Sequence, residues 1–355
     1  MPLRVALACV AAFLALAPYP PSAVERWFSG GLFPVLQSAL TSLSNQVPFA
    51  LLDALILGLL AWWIWCLVRD VSGCRRGTLI GWAAVVGRVL LRTATLMVVL
   101  YLGFMAAWGL NYRRAPLADR FAPNPEGATP ARAEQLVLDS VDELNRLFEQ
   151  AHSSPQPAPI TTSGSLAEAF SQTQFVLGIR RPARAALPKA TLLDVYLRSA
   201  GVAGMTDPYF LETLVETDLL PVERPFVVAH EWSHLAGFTN EGEANFLGWL
   251  TCVRGAPLDQ YSGWLFLYDE VAVGLSRQAR ADVAAHLDAG PRDDLRAIAE
   301  RLRRSVRPRV AKAGWEVYDR YLRANRVQAG TASYREVVRI VLDTRFGSNW
   351  EPELK

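Results

Sequence analysis

The chain holds four histidines among its 355 residues. Two of them, His230 and His234, stand four apart with Glu231 between them in the stretch FVVAHEWSHLAGFTNEGEANFLGWL, Phe226 to Leu250. On a helix, positions i and i+4 lie one above the other on one face. Both imidazoles can then aim a nitrogen at one point about 2.0–2.1 Å from each ring, the bond length of Zn²⁺ to histidine. Glu231 sits about 100° round the helix from His230. It does not join the same shell, but it reaches a water on the ion's open side, takes its proton and passes it to a leaving amine. The H-E-x-x-H pattern is therefore a mechanism as well as a string. The flanks PFVVA and LAG make this helix apolar, and two buried imidazoles are costly there unless something binds them.

A catalytic zinc needs a third protein ligand and an open position. Gly237 reads as a helix terminator and Asn240 as the cap of the next helix. Asn240 followed by Glu243 fits a capping box, which gives Glu243 a local structural task and leaves Glu241 for the metal. Glu241 is the favoured third ligand and Glu243 the alternative. Asn245, one turn beyond Glu241, is placed to orient a ligand. His152 and His286 read as surface residues. Tyr318, Tyr321 and Tyr334 are candidates for stabilising a developing oxyanion, although each also reads as an ordinary packed helix residue.

These residues must be carried by something, and charge and hydropathy divide the chain. Residues 1–114 carry nine Lys/Arg and three Asp/Glu, whereas residues 115–355 carry 27 and 31. The acidic balance of the larger part gives no footing for nucleic acid, which needs a concentrated basic face. Only Cys252 lies outside the first hundred residues, so no disulfide forms within the C-terminal part and no Cys-type zinc site is available.

Residues 1–114 read as a membrane anchor with three apolar stretches, Val5–Ala17, Ala50–Val68 and Thr93–Leu110. The last two approach the ~20 residues that cross a bilayer core. Asp53 interrupts the second near its end, where the side chain reaches the interface. Trp62, Trp63, Trp65, Trp108 and Tyr112 suit the interfacial aromatic belts. The first stretch is short enough for a signal-peptide core, but with two more spans following it reads as an uncleaved first span. Val24–Gln46 reads as an interfacial or short helical connector. Arg69, Arg75, Arg76, Arg88 and Arg92 cluster between the second and third stretches and predict a cytoplasmic loop. Residues 115–355 are then extracytoplasmic, on the outer face of a bacterial inner membrane crossed several times. Arg113 and Arg114 argue weakly the other way.

The segment APLADRFAPNPEGATPARAEQ reads as a Pro/Ala-rich linker, followed by an amphipathic helix over Ala131–His152. SSPQPAPITTSGS reads as loop, and Ser165 as the cap of a helix from Leu166 to about Leu177. Tyr209–Thr217 reads as a strand, placed to pair with an extended substrate or simply to sit in a core. From Pro225 on the chain reads as helices over Phe226–Leu235, Glu241–Arg254, Trp264–Gly274, Arg277–Asp288, Arg292–Val310, Ala313–Asn325 and Ser333–Leu342. The fold expected is mainly α (α+β): transmembrane helices followed by a zincin-like, helix-rich domain with a small sheet.

HEWSH followed by NEGEAN resembles the gluzincin metallopeptidases, whose second helix supplies a glutamate ligand. The NEG placement is similar to the aminopeptidase branch. Glu241 to Asn245, E-x-x-A-N, is similar to the E-x-x-A-D of the membrane-bound CAAX-protease and heat-shock-protease branch. WGLNYRR, PFVVAHEWSHLAGF with EGEANFLGWL, and YDRYLRANRVQAGTASYREVV resemble a bacterial family, the domain-of-unknown-function 3810 proteins. The resemblance implies a zincin-type domain.

The expected function is a membrane-anchored zinc metallopeptidase. His230, His234 and Glu241 would hold Zn²⁺, Glu231 would be the general base, and the partners would be a peptide or protein substrate and membrane lipids. The alternative is a non-catalytic zinc protein with a structural or sensing site. Glu231 separates the two, because a purely structural site needs no base. Phe226–Phe238 is too short to place the motif inside a span.

Overall fold

The computed structural model describes residues 2–73, 79–154 and 161–355. Arg75, Arg76 and Cys74 of the expected cytoplasmic loop, and most of the SSPQPA loop, lie outside them. The chain is mostly helical, with a small mixed sheet.

Helix α1 (Pro2–Leu16) is followed by a single turn α2 (Pro21–Ala23), a π-helical stretch (Val24–Leu32) and α3 (Phe33–Ser44). Pro18, Pro20 and Pro21 remove donors and fix φ at the break, and α1 meets the Pro21–Ser44 stretch at 111°. The first apolar segment is therefore not a straight span by itself. At ~1.5 Å per residue, α1 falls short of a ~30 Å core. Helices α4 (Leu51–Ser72) and α5 (Leu79–Ala107) are each long and apolar enough to cross a membrane. They run antiparallel. Trp63 donates to Thr93 at 3.2 Å, and at the far end buried Asp70 accepts from Arg88 and Arg92.

The opposite ends of α4 and α5 carry the rest of the molecule. Arg113 and Arg114, just beyond α5, have partners here. Arg113 donates to the Ala15 carbonyl at 3.0 Å, and Arg114 forms a two-pronged pair with Glu25. The segment after Arg114 is not a free linker. Leu117 and Phe121 are buried, and residues 121–124 bond with the chain's last residues and with Asp343.

Helix α6 (Pro130–Ser153) follows, capped by Thr129, then α7 (Gly164–Val176). Ser163, rather than Ser165, caps α7. Ser165 instead donates to Asp259 at 3.0 Å.

The sheet has order β1-β3-β2, with β1 (Pro188–Lys189) parallel and β2 (Gly204–Asp207) antiparallel to β3 (Glu212–Val215). Helix α8 (Asp194–Ala200) intervenes between β1 and β2. The expected strand Tyr209–Thr217 is thus corrected. Its first residues form the turn between β2 and β3, because Asp207 accepts the main-chain N–H groups of Tyr209 and Phe210 at 3.0 and 2.8 Å. Glu212 fastens this sheet to the start of α4. It accepts from Leu52 N at 3.1 Å, Ser44 Oγ at 2.8 Å and Lys189 Nζ at 2.6 Å, all in a buried setting.

The remaining helices are α9 (Arg224–Leu235), α10 (Glu241–Cys252), α11 (Pro257–Gly274), α12 (Arg277–Ala285), α13 (Ala289–Ser305), α14 (Pro308–Ala324) and α15 (Glu336–Asp343). The expected helix Arg292–Val310 ends early. Val306 and Arg307 are extended, as residues preceding a proline prefer, and Arg307 N donates to Ser199 O at 2.9 Å. The apolar core centres on α9, α10 and α11, with Trp232, Trp249, Tyr261 and Trp264 buried. It continues without a break into Phe28, Phe33, Phe104 and Trp108 of the N-terminal part.

Candidate metal centre

Helix α9 ends at Ala236, and Gly237 turns the chain at φ +82°, a conformation open to glycine at little cost. Asn240 then caps α10, its side chain accepting from Glu243 N at 3.0 Å. The two helices lie very close. A Cβ at Gly248 would stand 3.1 Å from the His230 main-chain nitrogen. That approach brings the first turn of α10 over the histidine face of α9.

His230, His234 and Glu241 meet there, and all are buried. The two Nε2 atoms are 3.2 Å apart, and each lies 3.4 Å from Glu241 Oε2. An ion with tetrahedral bonds of about 2.0–2.1 Å requires ligand atoms about 3.3–3.4 Å apart. Glu241 Oε2 is buried with no hydrogen-bond donor of its own. Its other oxygen accepts from the Tyr318 hydroxyl. His234 Nδ1 faces the Phe238 carbonyl at 2.7 Å, which leaves Nε2 as the ligating nitrogen. The residues present therefore fit a divalent ion of the zinc kind. Burial opposes charge throughout, yet the imidazoles hold the Glu241 carboxyl well below the usual carboxylate range, and Glu241 lifts His234 to about 9. A metal ion would compete with that shared proton.

Glu243 does not join the group. Its Oε1 accepts from Leu117 N at 2.6 Å, so only half of the expected capping box forms. Burial pushes its carboxyl up to about 7, against the Leu117 N–H and the Arg114 charge. Asn245 also turns elsewhere, donating to the Tyr334 carbonyl at 3.1 Å. His152, on α6, and His286, in the turn after α12, are exposed and outside the group.

Glu231 faces β2. Thr206 Oγ1 stands 2.9 Å from its Oε2 and 2.9 Å from its main-chain carbonyl. Gly204 leaves room for the carboxylate, since a Cβ there would lie 2.8 Å from Glu231 Oε1. Burial raises the Glu231 carboxyl above its ordinary value, against the pull of the two histidines. An upward shift is the direction that makes a carboxylate a better proton acceptor.

A cavity of about 640 Å³ opens from these residues. Tyr112, Tyr318, Tyr321 and Tyr334 line it. The Tyr334 ring stacks on His230 with centroids 6.4 Å apart. Tyr112 and Tyr321 pair their hydroxyls at 3.2 Å. Burial holds the Tyr318 and Tyr334 phenols well above their usual value, so they remain protonated donors. The sequence reading anticipated three of these tyrosines. It placed Tyr112 in an interfacial belt and missed Gly204 and Thr206, whose only signal was their position just before an apolar run.

No curated protein and no solved structure matches this chain. One family, described as "Protein of unknown function (DUF3810)", matches residues 28–342, and with most of its length covered the chain belongs to that family.

Proposed function

We propose that this protein is a membrane-anchored, zinc-dependent metallopeptidase of gluzincin type, with its C-terminal part on the outer face of a bacterial inner membrane. One observation carries the reading. Three buried ligand atoms lie 3.2–3.4 Å apart, beside a buried carboxylate that is not one of them. A structural site has no use for that fourth group. Zinc, when bound, supplies Lewis acidity toward a carbonyl and lowers the pKa of water in its open position.

The chain's own residues supply the rest. Glu231 takes a proton from the attacking water and delivers it to the leaving amine. Thr206 fixes the direction of that carboxylate. The edge of β2 that has no strand partner among the described residues lies in the cavity wall at Gly204, Met205 and Thr206 and offers main-chain partners to an extended peptide. Tyr318 holds Glu241 in place, and the Tyr334 phenol is a donor for negative charge developing on the substrate oxygen.

The test is zinc analysis and peptide-library cleavage by the detergent-purified full chain, wild type against Glu231→Gln. About one zinc per chain in both proteins is expected, with cleavage reduced about 10²–10⁴-fold in the variant. Cleavage unchanged by the substitution rejects the mechanism. Zinc without cleavage by either protein leaves a non-catalytic zinc site.

A further inference from the structure

The cavity at the candidate metal centre has an unusual wall. Met97, Leu100, Tyr101 and Phe104 line it at spacings that place them on one face of α5, with Trp108 just beyond the end of the helix. They span eleven positions, or about 16 Å of helix. Among the described residues, α5 is one of two helices that are each long and apolar enough to cross a membrane. Within α5, Arg92 pairs with Asp70 near the end of α4. Met97 is therefore only about 8 Å along the span from that pair. The cavity follows the span for most of the distance between Arg92 and Trp108. Met97 lines it and is also 61% exposed, so the cavity wall and the outward surface of the span share a residue.

The rim points the same way. Asp53, in the first turn of α4, accepts from Thr191 Oγ1 at 2.7 Å and from Leu192 N at 2.9 Å. This ties the segment leading into α8 to the end of a span. Leu192 and Val195, on that segment, are 68% and 69% exposed. Exposed apolar side chains fastened at the end of a span suit the bilayer surface better than water. Tyr196 of the same helix lines the cavity and is 48% exposed.

Resting on the peptidase reading above, we infer that the substrates are membrane-anchored polypeptides, cut near the bilayer surface while their apolar anchor lies along the α5 face of this cavity. A peptide fits better than a lipid chain, because the edge of β2 that has no strand partner among the described residues forms another wall. Unpaired main-chain groups serve a polypeptide, and an acyl chain has no use for them.

The experiment uses the full chain in vesicles of phosphatidylethanolamine and phosphatidylglycerol. A benzophenone photo-crosslinking residue replaces Leu100 in the Glu231→Gln background. The probes are two peptide libraries with the same randomised polar sequence, one extended by an apolar run of about 20 residues. Adducts with the anchored library and not with the soluble one are expected. Adducts with lipid alone, equal adducts with both libraries, or no adduct overturn the inference. In parallel, wild type should cleave the anchored library preferentially, and Leu100→Trp should lower that cleavage about tenfold, a larger factor than for any cleavage of the soluble library. Cleavage of both libraries at equal rates leaves the peptidase reading standing and sinks this one. No cleavage of either library by zinc-loaded wild type sinks the peptidase reading, and the crosslinks then decide the occupant of the cavity alone.

Discussion

The indole Nε1–H of Trp108 donates to the main-chain carbonyl of His234 at 3.0 Å. A residue just beyond α5, a helix long and apolar enough to cross a membrane, thereby closes the last turn of the helix that carries both candidate metal ligands. Its ring also stands edge-on to the His234 imidazole, with centroids 6.3 Å apart. The His234 carbonyl still accepts from Gly237 N at 2.9 Å, so loss of the indole donor leaves it partly satisfied. Trp108→Phe should cost about 1 kcal/mol of stability, and Trp108→Ala about 3–5 kcal/mol through the cavity it opens. Thermal unfolding of the detergent-solubilised protein measures both. Equal melting temperatures for wild type and Trp108→Phe would show that the hydrogen bond contributes nothing.

Two glutamates of α10 separate cleanly by geometry. Glu241 Oε2 faces both imidazoles, whereas Glu243 faces Leu117 N. Glu241→Gln should weaken zinc binding at least about a hundredfold, since changes in the outer shell alone reach that size. Glu243→Gln keeps an acceptor for the Leu117 N–H and should leave zinc affinity unaltered. Competition with a chelator of known affinity reads both variants, and the opposite ranking would assign the third ligand to Glu243.

Glu231 owes its position to a strand residue without a side chain. In Gly204→Ala the new methyl would crowd Glu231 Oε1 at 2.8 Å and Val227 Cγ1 at 3.1 Å. The carboxylate must turn, while the three ligand atoms lie elsewhere and stay put. Zinc content should be unchanged and kcat should fall about 10²-fold, the range reported for misplacement of a catalytic group by about 1 Å. Thr206→Val, which keeps the shape and removes the hydroxyl, should act in the same direction and less strongly. A loss of zinc in either variant would mean that β2 supports the ligands rather than the base.

Legibility from sequence followed the range of the interactions involved. The α9–turn–α10 unit was readable because its signals are local: an i, i+4 histidine pair, Gly237 as terminator and Asn240 as cap. Glu241 stood out because the expected capping box gave the Glu243 carboxylate a local task; only the Asn240 half of that box forms, and the carboxylate is instead taken by Leu117 N. The sheet was not readable. GMTD, the edge strand, contains glycine and aspartate, which strands disfavour, while the apolar PYFL beside it is a turn held by Asp207. Nor did the Pro-rich composition of residues 115–135 reveal burial, because Leu117 and Phe121 find their partners more than a hundred residues away. The tyrosine cluster required the turn after α5 that carries Tyr112, helix α14 and the turn that carries Tyr334 to meet, and no periodicity within any one of them reports that.

Asp207 offers a test of the turn that places β2. Its carboxylate is fully buried. Burial raises it from 3.8 to about 6, despite the two N–H donors of Tyr209 and Phe210, and Glu212 adds to the rise. Between those two values the folded chain holds more protons than the unfolded one, so this group's contribution to stability decreases as pH rises. The contribution is fully present below about pH 4 and lost through about pH 6, with an upper bound near 3 kcal/mol. Asp207→Asn mimics the protonated acid and does not titrate. The variant should match wild type near pH 4 and become the more stable protein by pH 7. Urea unfolding in detergent across that interval gives the difference directly. A difference that does not change with pH, or one that moves toward wild type as pH rises, would show that the buried carboxylate is stabilised by its donors rather than penalised by its surroundings.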